Sequence, residues 1–243
     1  MGKIVAIGGG EIGRPGTNIE TLKIDNEIIK LTNKKKPKLL FIPTASGDST
    51  VYFEVVKNYF GKKHNCDVSV LYLINEKPSK KDIENKILSS DVIYVGGGNT
   101  LNMMNIWRKY GVDNILRKAY EKGIVMSGIS AGSICWFDFG NSDSRKFSSD
   151  SSKLIKVTGL GFIKALHCPH YDVEKNRQDD LKQMIQKTPK IVAIALENCS
   201  ALEIVDDKYR ILSSKPNAKA YKIYWENGIY HKEEIKKTAK FQS

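Results

Sequence analysis

The run Gly128-Ile129-Ser130-Ala131-Gly132 is the pattern in this sequence with the clearest chemical meaning. A GxSxG run sets a serine on a strand-to-helix turn so tight that its flanks admit only small side chains, and it lifts the hydroxyl away from the backbone. Here it follows the apolar stretch Ile124 to Ser127 and precedes a second apolar run that begins a helix, which is the setting such a turn needs. In that setting Ser130 is a nucleophile, and the N–H of Ala131 points at the oxyanion that develops on an attacked carbonyl. The competing reading is a glycine-rich turn that happens to contain a serine.

A serine hydroxyl is a weak nucleophile and needs a base. The sequence holds four histidines. His64 sits in the polar run Lys62 to Asn65 and is expected to be solvated, and His231 falls in a C-terminal hairpin. His167 lies in a strand pattern and can be a core histidine, whereas His170 follows Pro169 just beyond that strand, where a base should sit. The cluster His167-Cys168-Pro169-His170 raises the question of a metal, but no second ligand cluster at suitable spacing accompanies it, so no metal and no cofactor are expected. A third group must orient the imidazole. Candidates are Glu197, Asp143, Asp138 and Asp172, with Glu197 falling at the end of the strand pattern IVAIAL. The run Gly96-Gly97-Gly98-Asn99-Thr100 closes a strand and opens a helix, and its unhindered N–H groups can complete an oxyanion hole. Neither this run nor Gly8-Gly9-Gly10-Glu11 has the spacing of a dinucleotide or phosphate loop.

These residues need a scaffold, and the apolar periodicity supplies one. Buried strands are expected at Lys3 to Ile7, Lys38 to Ile42, Val68 to Leu73, Asp91 to Val95 and Ile124 to Ser127. Helical patterns alternate with them, around Ile24 to Leu31, Val51 to Phe60, Ser79 to Ser89 (opened by a Ser79/Asp82 capping box) and Leu101 to Lys122. Alternation of this kind predicts a parallel sheet with helices on both faces and a ligand crevice at the carboxyl ends of the strands. Ser142 to Ser152 reads as a polar excursion. A short strand near Ala165 to His167, a helix over Asn176 to Gln186 and a strand over Ile191 to Ala195 follow. Two antiparallel pairs are expected last, one turning at Asp206-Asp207 and one at Asn227-Gly228. No repeat and no sharp shift in composition appear, so residues 1–243 are expected to form one domain.

Composition limits the function classes. With 41% hydrophobic and 27% charged residues, the chain reads as an ordinary globular protein. It has no apolar run of membrane-spanning length and no signal-peptide pattern at its start, so a cytoplasmic location is expected. Four dispersed cysteines without a CxxC pair fit reduced thiols. The net charge of +12 is spread over scattered lysines without interleaved aromatics, so nucleic acid is not an expected partner, although a basic field can steer an acidic small substrate.

Taken together, the segments VGGGNT (Val95 to Thr100), GISAGS (Gly128 to Ser133), CPHYD (Cys168 to Asp172) and ALENCSAL (Ala195 to Leu202) resemble the serine peptidase family of aspartyl dipeptidase (peptidase E) and cyanophycinase, in the family's order. The likeness is greatest to its bacterial peptidase E-like branch. The resemblance implies a three-layer, class I glutamine amidotransferase-like (flavodoxin-like) α/β fold with serine in place of cysteine at the elbow. It implies a triad of Ser130, His170 and Glu197, with Asp143 as the alternative relay acid, and an oxyanion hole from Gly97 or Gly98 and Ala131. It further implies an arginine downstream of the base, here Arg177, that binds an acidic substrate residue, with Asn99 as a second substrate-binding position. The implied activity is hydrolysis of small peptides through an acyl-enzyme, with an N-terminal acidic residue as a preference. Hydrolysis of another amide or ester, such as a β-aspartyl polymer, and a non-catalytic binding protein of the same fold are the alternatives. No membrane partner is expected, and a homodimer is left open.

Overall fold

The computed structural model describes residues 2–149, 153–173, 176–188 and 190–236. Its first half runs β1 (Lys3–Ile7), α1 (Leu22–Lys30), β2 (Lys38–Ile42), α2 (Thr50–His64), β3 (Asp67–Val70), α3 (Lys80–Leu88), β4 (Val92–Val95), α4 (Thr100–Tyr110), α5 (Val112–Glu121) and β5 (Val125–Ile129). Side chains along a strand alternate in direction, and here both directions are apolar. Ile4 and Ala6 of β1 join Leu40 and Ile42 of β2 in one buried cluster, while Val5, Ile7, Leu39 and Phe41 join another. A strand buried on both faces must be covered on both. Ile24, Ile28, Val56 and Phe60 of α1 and α2 cover one side, and Met103, Trp107, Ile115 and Leu116 of α4 and α5 cover the other.

The second half runs α6 (Ala131–Ile134), β6 (Phe137–Ser142), α7 (Lys146–Ser149), β7 (Ile155–Thr158), β8 (Ile163–Cys168), α8 (Arg177–Gln186), β9 (Ala193–Leu196), β10 (Ser200–Val205), β11 (Lys208–Ser213), β12 (Ala220–Glu226) and β13 (Ile229–Glu234). The strands divide between two sheets. One has the order β11-β10-β1-β5-β4-β2-β3, parallel from β3 to β1 and antiparallel beyond. The other has the order β13-β12-β9-β8-β6-β7, parallel only through β9, β8 and β6. The α/β class and the two antiparallel hairpins match the sequence reading. The second sheet is what that reading missed, because β6 and β7 flank the expected polar excursion, whose residues 150–152 lie outside the described residues. β6 reads as polar because its polar groups are satisfied inside the protein. Asn141 and Ser142 are buried, and Ser142 Oγ lies 3.2 Å from Thr100 Oγ1 and 2.7 Å from Ser144 Oγ. Among the described residues, no helix is long and apolar enough to cross a membrane.

Two buried polar groups sit behind the first sheet. His64, expected in solvent, is buried at the end of α2 with its ring 5.0 Å from Tyr59 and 5.2 Å from Phe60, and burial lowers its pKa. Asp25 of α1 is wholly buried and accepts from the hydroxyls of Thr21 and Tyr59, each at 2.7 Å, which ties the start of α1 to α2. Burial pushes its carboxyl up to about 7 despite those bonds. The folded state therefore holds a proton that an unfolded aspartate releases near pH 4, so stability falls as pH rises from about 4 to about 7. Asp25→Asn should remove that component. Urea melts at about pH 5 and about pH 7.5 should show a smaller stability difference in the variant than in the wild type, and equal differences would refute the assignment.

Candidate active site

β5 ends where the chain must turn at once into α6, and Ser130 bears the turn. Its backbone sits at φ 57°, ψ −114°, a region that costs a non-glycine residue about 1–3 kcal/mol. The flanking glycines are steric requirements. A Cβ on Gly128 would stand 2.3 Å from Gly132 O, and one on Gly132 would stand 2.1 Å from Val95 O of β4. Ser130 N–H donates to Ile7 O at the end of β1, and Ser130 O accepts from the N–H groups of Ser133 and Ile134. The N–H groups of Ala131 and Gly132 thus lie in the first helical turn beside the serine, where backbone donors have no partner inside the helix.

His170 follows β8. Its N–H donates to Gly8 O at 3.0 Å, its φ is 51°, and Nε2 lies 2.9 Å from Ser130 Oγ. Its Nδ1 lies 2.7 Å from Asn198 Oδ1. With that oxygen as acceptor, Nδ1 carries the proton and Nε2 is left to accept from the Ser130 hydroxyl. Asn198 is held in turn by its own N–H, which donates to Asp172 Oδ1 at 2.8 Å.

Glu197 is therefore not the residue at His170 Nδ1. Its carboxylate is engaged by β12 and the residue before it, where Oε2 accepts from Lys219 N–H at 2.8 Å and Oε1 accepts from the Tyr221 hydroxyl at 3.1 Å. Asp143 does not take the place either, since its carboxylate lies 3.6 Å from Lys146 Nζ, and Asp138 pairs with Lys164. Arg177 does not face the catalytic mouth. It is buried at 2% exposure, and its guanidinium donates to both Asn141 O and Asn141 Oδ1 at 3.2 Å. Asn99 is a helix cap, with Oδ1 accepting from Asn102 N–H at 3.0 Å and Nδ2 donating to Ser144 O. His167 is a neutral core histidine, pushed down to about 3 by burial. Its Nδ1–H donates to Ile194 O at 3.0 Å, and Nε2 accepts from the Ser133 hydroxyl at 2.8 Å, directly behind the elbow.

Ser130 and His170 open into a cleft of about 540 Å³. Gly97 and Gly98 form one wall. A Cβ on Gly97 would lie 3.4 Å from Ser130 Cβ, and one on Gly98, whose φ is 137°, would stand 2.2 Å from Ala45 O. Asn99 N–H donates to that same Ala45 oxygen at 2.7 Å, which fixes the wall against the turn at Thr44–Ser46. Tyr52 lines the cleft beside this wall, its ring edge against Gly96. The opposite wall is the segment from Gly10 to Glu20, where the carboxylate of Glu11 receives a two-pronged pairing from the Arg14 guanidinium. Asn198, Tyr52 and Arg14 are among the cleft residues that sequence reading missed. For Asn198 the signal was its place in ALENCSAL, one position beyond the glutamate.

The comparisons with known proteins bear on the family and the fold. The profile of Peptidase family S51 matches residues 4–212, from β1 into β11. The uncharacterized peptidase YgaJ of Bacillus subtilis (strain 168) is 36% identical over 224 residues, covering 92% of each chain. A peptidase E from Nostoc sp. is 24% identical over 202 residues, covering 78% of each chain. A crystal structure of a peptidase from an acI-B1 Actinobacterium shares the fold, with a TM-score of 0.73 at 18% identity over 100% of this chain and 96% of that one. A profile match over most of the chain, with a relative above one-third identity along nearly its full length, places the protein: it belongs to peptidase family S51 and is a serine peptidase of the peptidase E type.

Proposed function

We propose that this serine peptidase removes residues from short peptides through an acyl-enzyme on Ser130, with His170 as general base and Asn198 as the residue that orients it. The observation that carries the reading is the 2.9 Å approach of His170 Nε2 to the hydroxyl of a serine held at φ 57°, ψ −114°. As Ser130 Oγ attacks a peptide carbonyl, its proton passes to Nε2 and negative charge builds on the carbonyl oxygen. The donors for that charge are the N–H of Ala131, next in the turn after Ser130, and an N–H of the Gly97–Gly98 wall, a reading supported by the place of Gly97 and Gly98 in the same cleft as Ser130. The imidazolium then returns the proton to the leaving amine, and a water repeats the sequence to free the acid. Asn198 is neutral, so it fixes the tautomer without offsetting the imidazolium charge. The Asp172 carboxylate stands one hydrogen bond further back, accepting from the Asn198 N–H.

The cleft is of a size for a short peptide, and among its lining residues Arg14 is the arginine placed to meet an acidic first residue, a role that buried Arg177 is not placed to fill. All four cysteines are buried thiols, which suits a reducing cytoplasm. A fluorophosphonate probe tests the chemistry, with the labelled residue mapped by mass spectrometry. Labelling is expected at Ser130. Asn198→Ala should slow it about tenfold, the scale of one neutral hydrogen bond, and Glu197→Gln should leave it nearly unchanged. A larger loss from Glu197→Gln than from Asn198→Ala would return the orienting role to the glutamate.

A further inference from the structure

We infer that Ser133 and His167 are positioning residues for this site, and that they aim the Ala131 N–H at the oxyanion by holding the Ser130 carbonyl from behind. The inference rests on the Ser130 reading and deepens it. The carbonyl and the N–H belong to one peptide group, which is planar, so they point in opposite directions. Whatever fixes the Ser130 oxygen therefore fixes the direction of the Ala131 N–H. Among the described residues that N–H donates to no protein acceptor. The Ser130 oxygen is held by three groups: the N–H of Ser133 at 2.9 Å, the N–H of Ile134 at 3.0 Å and Ser133 Oγ at 2.7 Å. α6 is a single turn of four residues, and a lone turn is a weak restraint on a plane strained to ψ −114°.

The third contact is anchored in the second sheet. Ser133 Oγ also lies 2.8 Å from His167 Nε2. His167 of β8 is wholly buried, its ring stacked on Phe137 of β6 with centroids 4.5 Å apart, and its Nδ1 lies 3.0 Å from Ile194 O of β9. A carbonyl oxygen only accepts, so Nδ1 carries the ring proton and Nε2 is an acceptor. Both neighbours of the Ser133 hydroxyl are then acceptors, and its one proton is shared between them, in the three-centre form common at helix ends. A chain of contacts thus runs from β9 through His167 and Ser133 to the Ser130 carbonyl. Strands of the second sheet brace the elbow that the first sheet carries. The pair transfers no proton in the reaction: burial keeps His167 neutral, and the oxyanion forms on the other side of the peptide plane. Without the brace the plane can rotate about ψ, which turns the Ala131 N–H away from the developing charge.

The test is the rate at which an alkyl fluorophosphonate labels Ser130, resolved across pH into its saturation constant and its limiting rate. Ser133→Ala removes the bridging oxygen alone. His167→Phe keeps a ring against Phe137 and removes the acceptor. In each, the limiting rate should fall about tenfold, less than the roughly 10²-fold that outright loss of an oxyanion donor costs. The saturation constant should stay near that of the wild type, and so should the pH at which labelling rises, which belongs to His170. The double variant should be no slower than the slower single variant, because both changes break the same bridge. His167→Gln, which returns an acceptor for the Ser133 hydroxyl, should keep most of the rate. Where His167→Phe does not fold, Ser133→Ala and His167→Gln carry the comparison. An unchanged limiting rate in Ser133→Ala would overturn the proposal. Multiplicative losses in the double variant would do the same, as would a shifted pH inflection, which would put the effect on the base. Absence of Ser130 labelling in the wild type would instead remove the nucleophile reading on which it rests, so the two failures are distinguishable.

Discussion

Ser130→Ala is expected to lower peptide hydrolysis on the order of 10³-fold or more while leaving the fold in place, the scale on which serine peptidases lose activity with their nucleophile. The backbone explains why the fold survives. Ser130 holds φ 57°, ψ −114° because Ile7 O, Gly128, Gly132 and the end of β4 leave no other path from β5 into α6. Alanine keeps a Cβ and so keeps that strain, and its thermal midpoint should match the wild type. Ser130→Gly should be equally inactive yet more stable by about 1 kcal/mol, because glycine meets no Cβ penalty there. The pair separates chemistry from packing. If alanine retained activity within a few-fold, Ser130 would not be the nucleophile. If glycine were less stable than serine, the strain would not be real.

The elbow was legible in the sequence because its constraint is local: within five residues a tight turn dictates small, Ser, small. His170 was legible for a related reason, since a proline ended the strand pattern and left the next side chain at the sheet's carboxyl edge. Glu197 and Asn198 could not be separated in the same way. Strand alternation gives a direction as far as Leu196, but the chain then enters a turn in which Cys199 takes φ 64°, and beyond the strand a shift of one residue reverses the side chain. Arg177 failed for a different reason. A buried guanidinium needs buried acceptors, and these are on β6, a strand whose polar residues hid it. The same fact concealed the second sheet, because Gly140, Asn141 and Ser142 look solvated until Ile134, Arg177 and Thr100 are brought against them. What periodicity carried was the layer of strands whose two faces are both apolar.

The glycine triplet after β1 illustrates the limit most sharply, and it carries the second large expected effect. As a motif, Gly8-Gly9-Gly10 matched no phosphate or dinucleotide loop and so had no assigned purpose. In the fold it is the floor beneath the base. Gly8 O accepts from His170 N–H and Gly9 O accepts from Cys199 N–H, so the backbone just beyond β1 clamps both turns that supply the histidine and the asparagine. That clamp brings the side chains so close that a Cβ on Gly9 would stand 2.0 Å from Asn198 Oδ1 and 2.4 Å from His170 Nδ1. Both distances are well inside van der Waals contact, so Gly9→Ala must push the imidazole and the amide apart or displace them together. Displacement of the general base should cost about 10²–10⁴-fold in kcat, the range assigned to a positioned base. The control is Gly111→Ala at the end of α4. Its φ is 68° with open space around it, so it should lose about 1 kcal/mol of stability and keep full activity. A double variant then identifies the cause. If the methyl group acts by striking Asn198, Gly9→Ala combined with Asn198→Ala should be less damaging than the product of the two single losses, because the second change removes the atom that the first collides with. Multiplicative losses would place the effect of Gly9 elsewhere, and a Gly9→Ala protein within a few-fold of wild type would mean that the His170–Asn198 pair is not what orients the base.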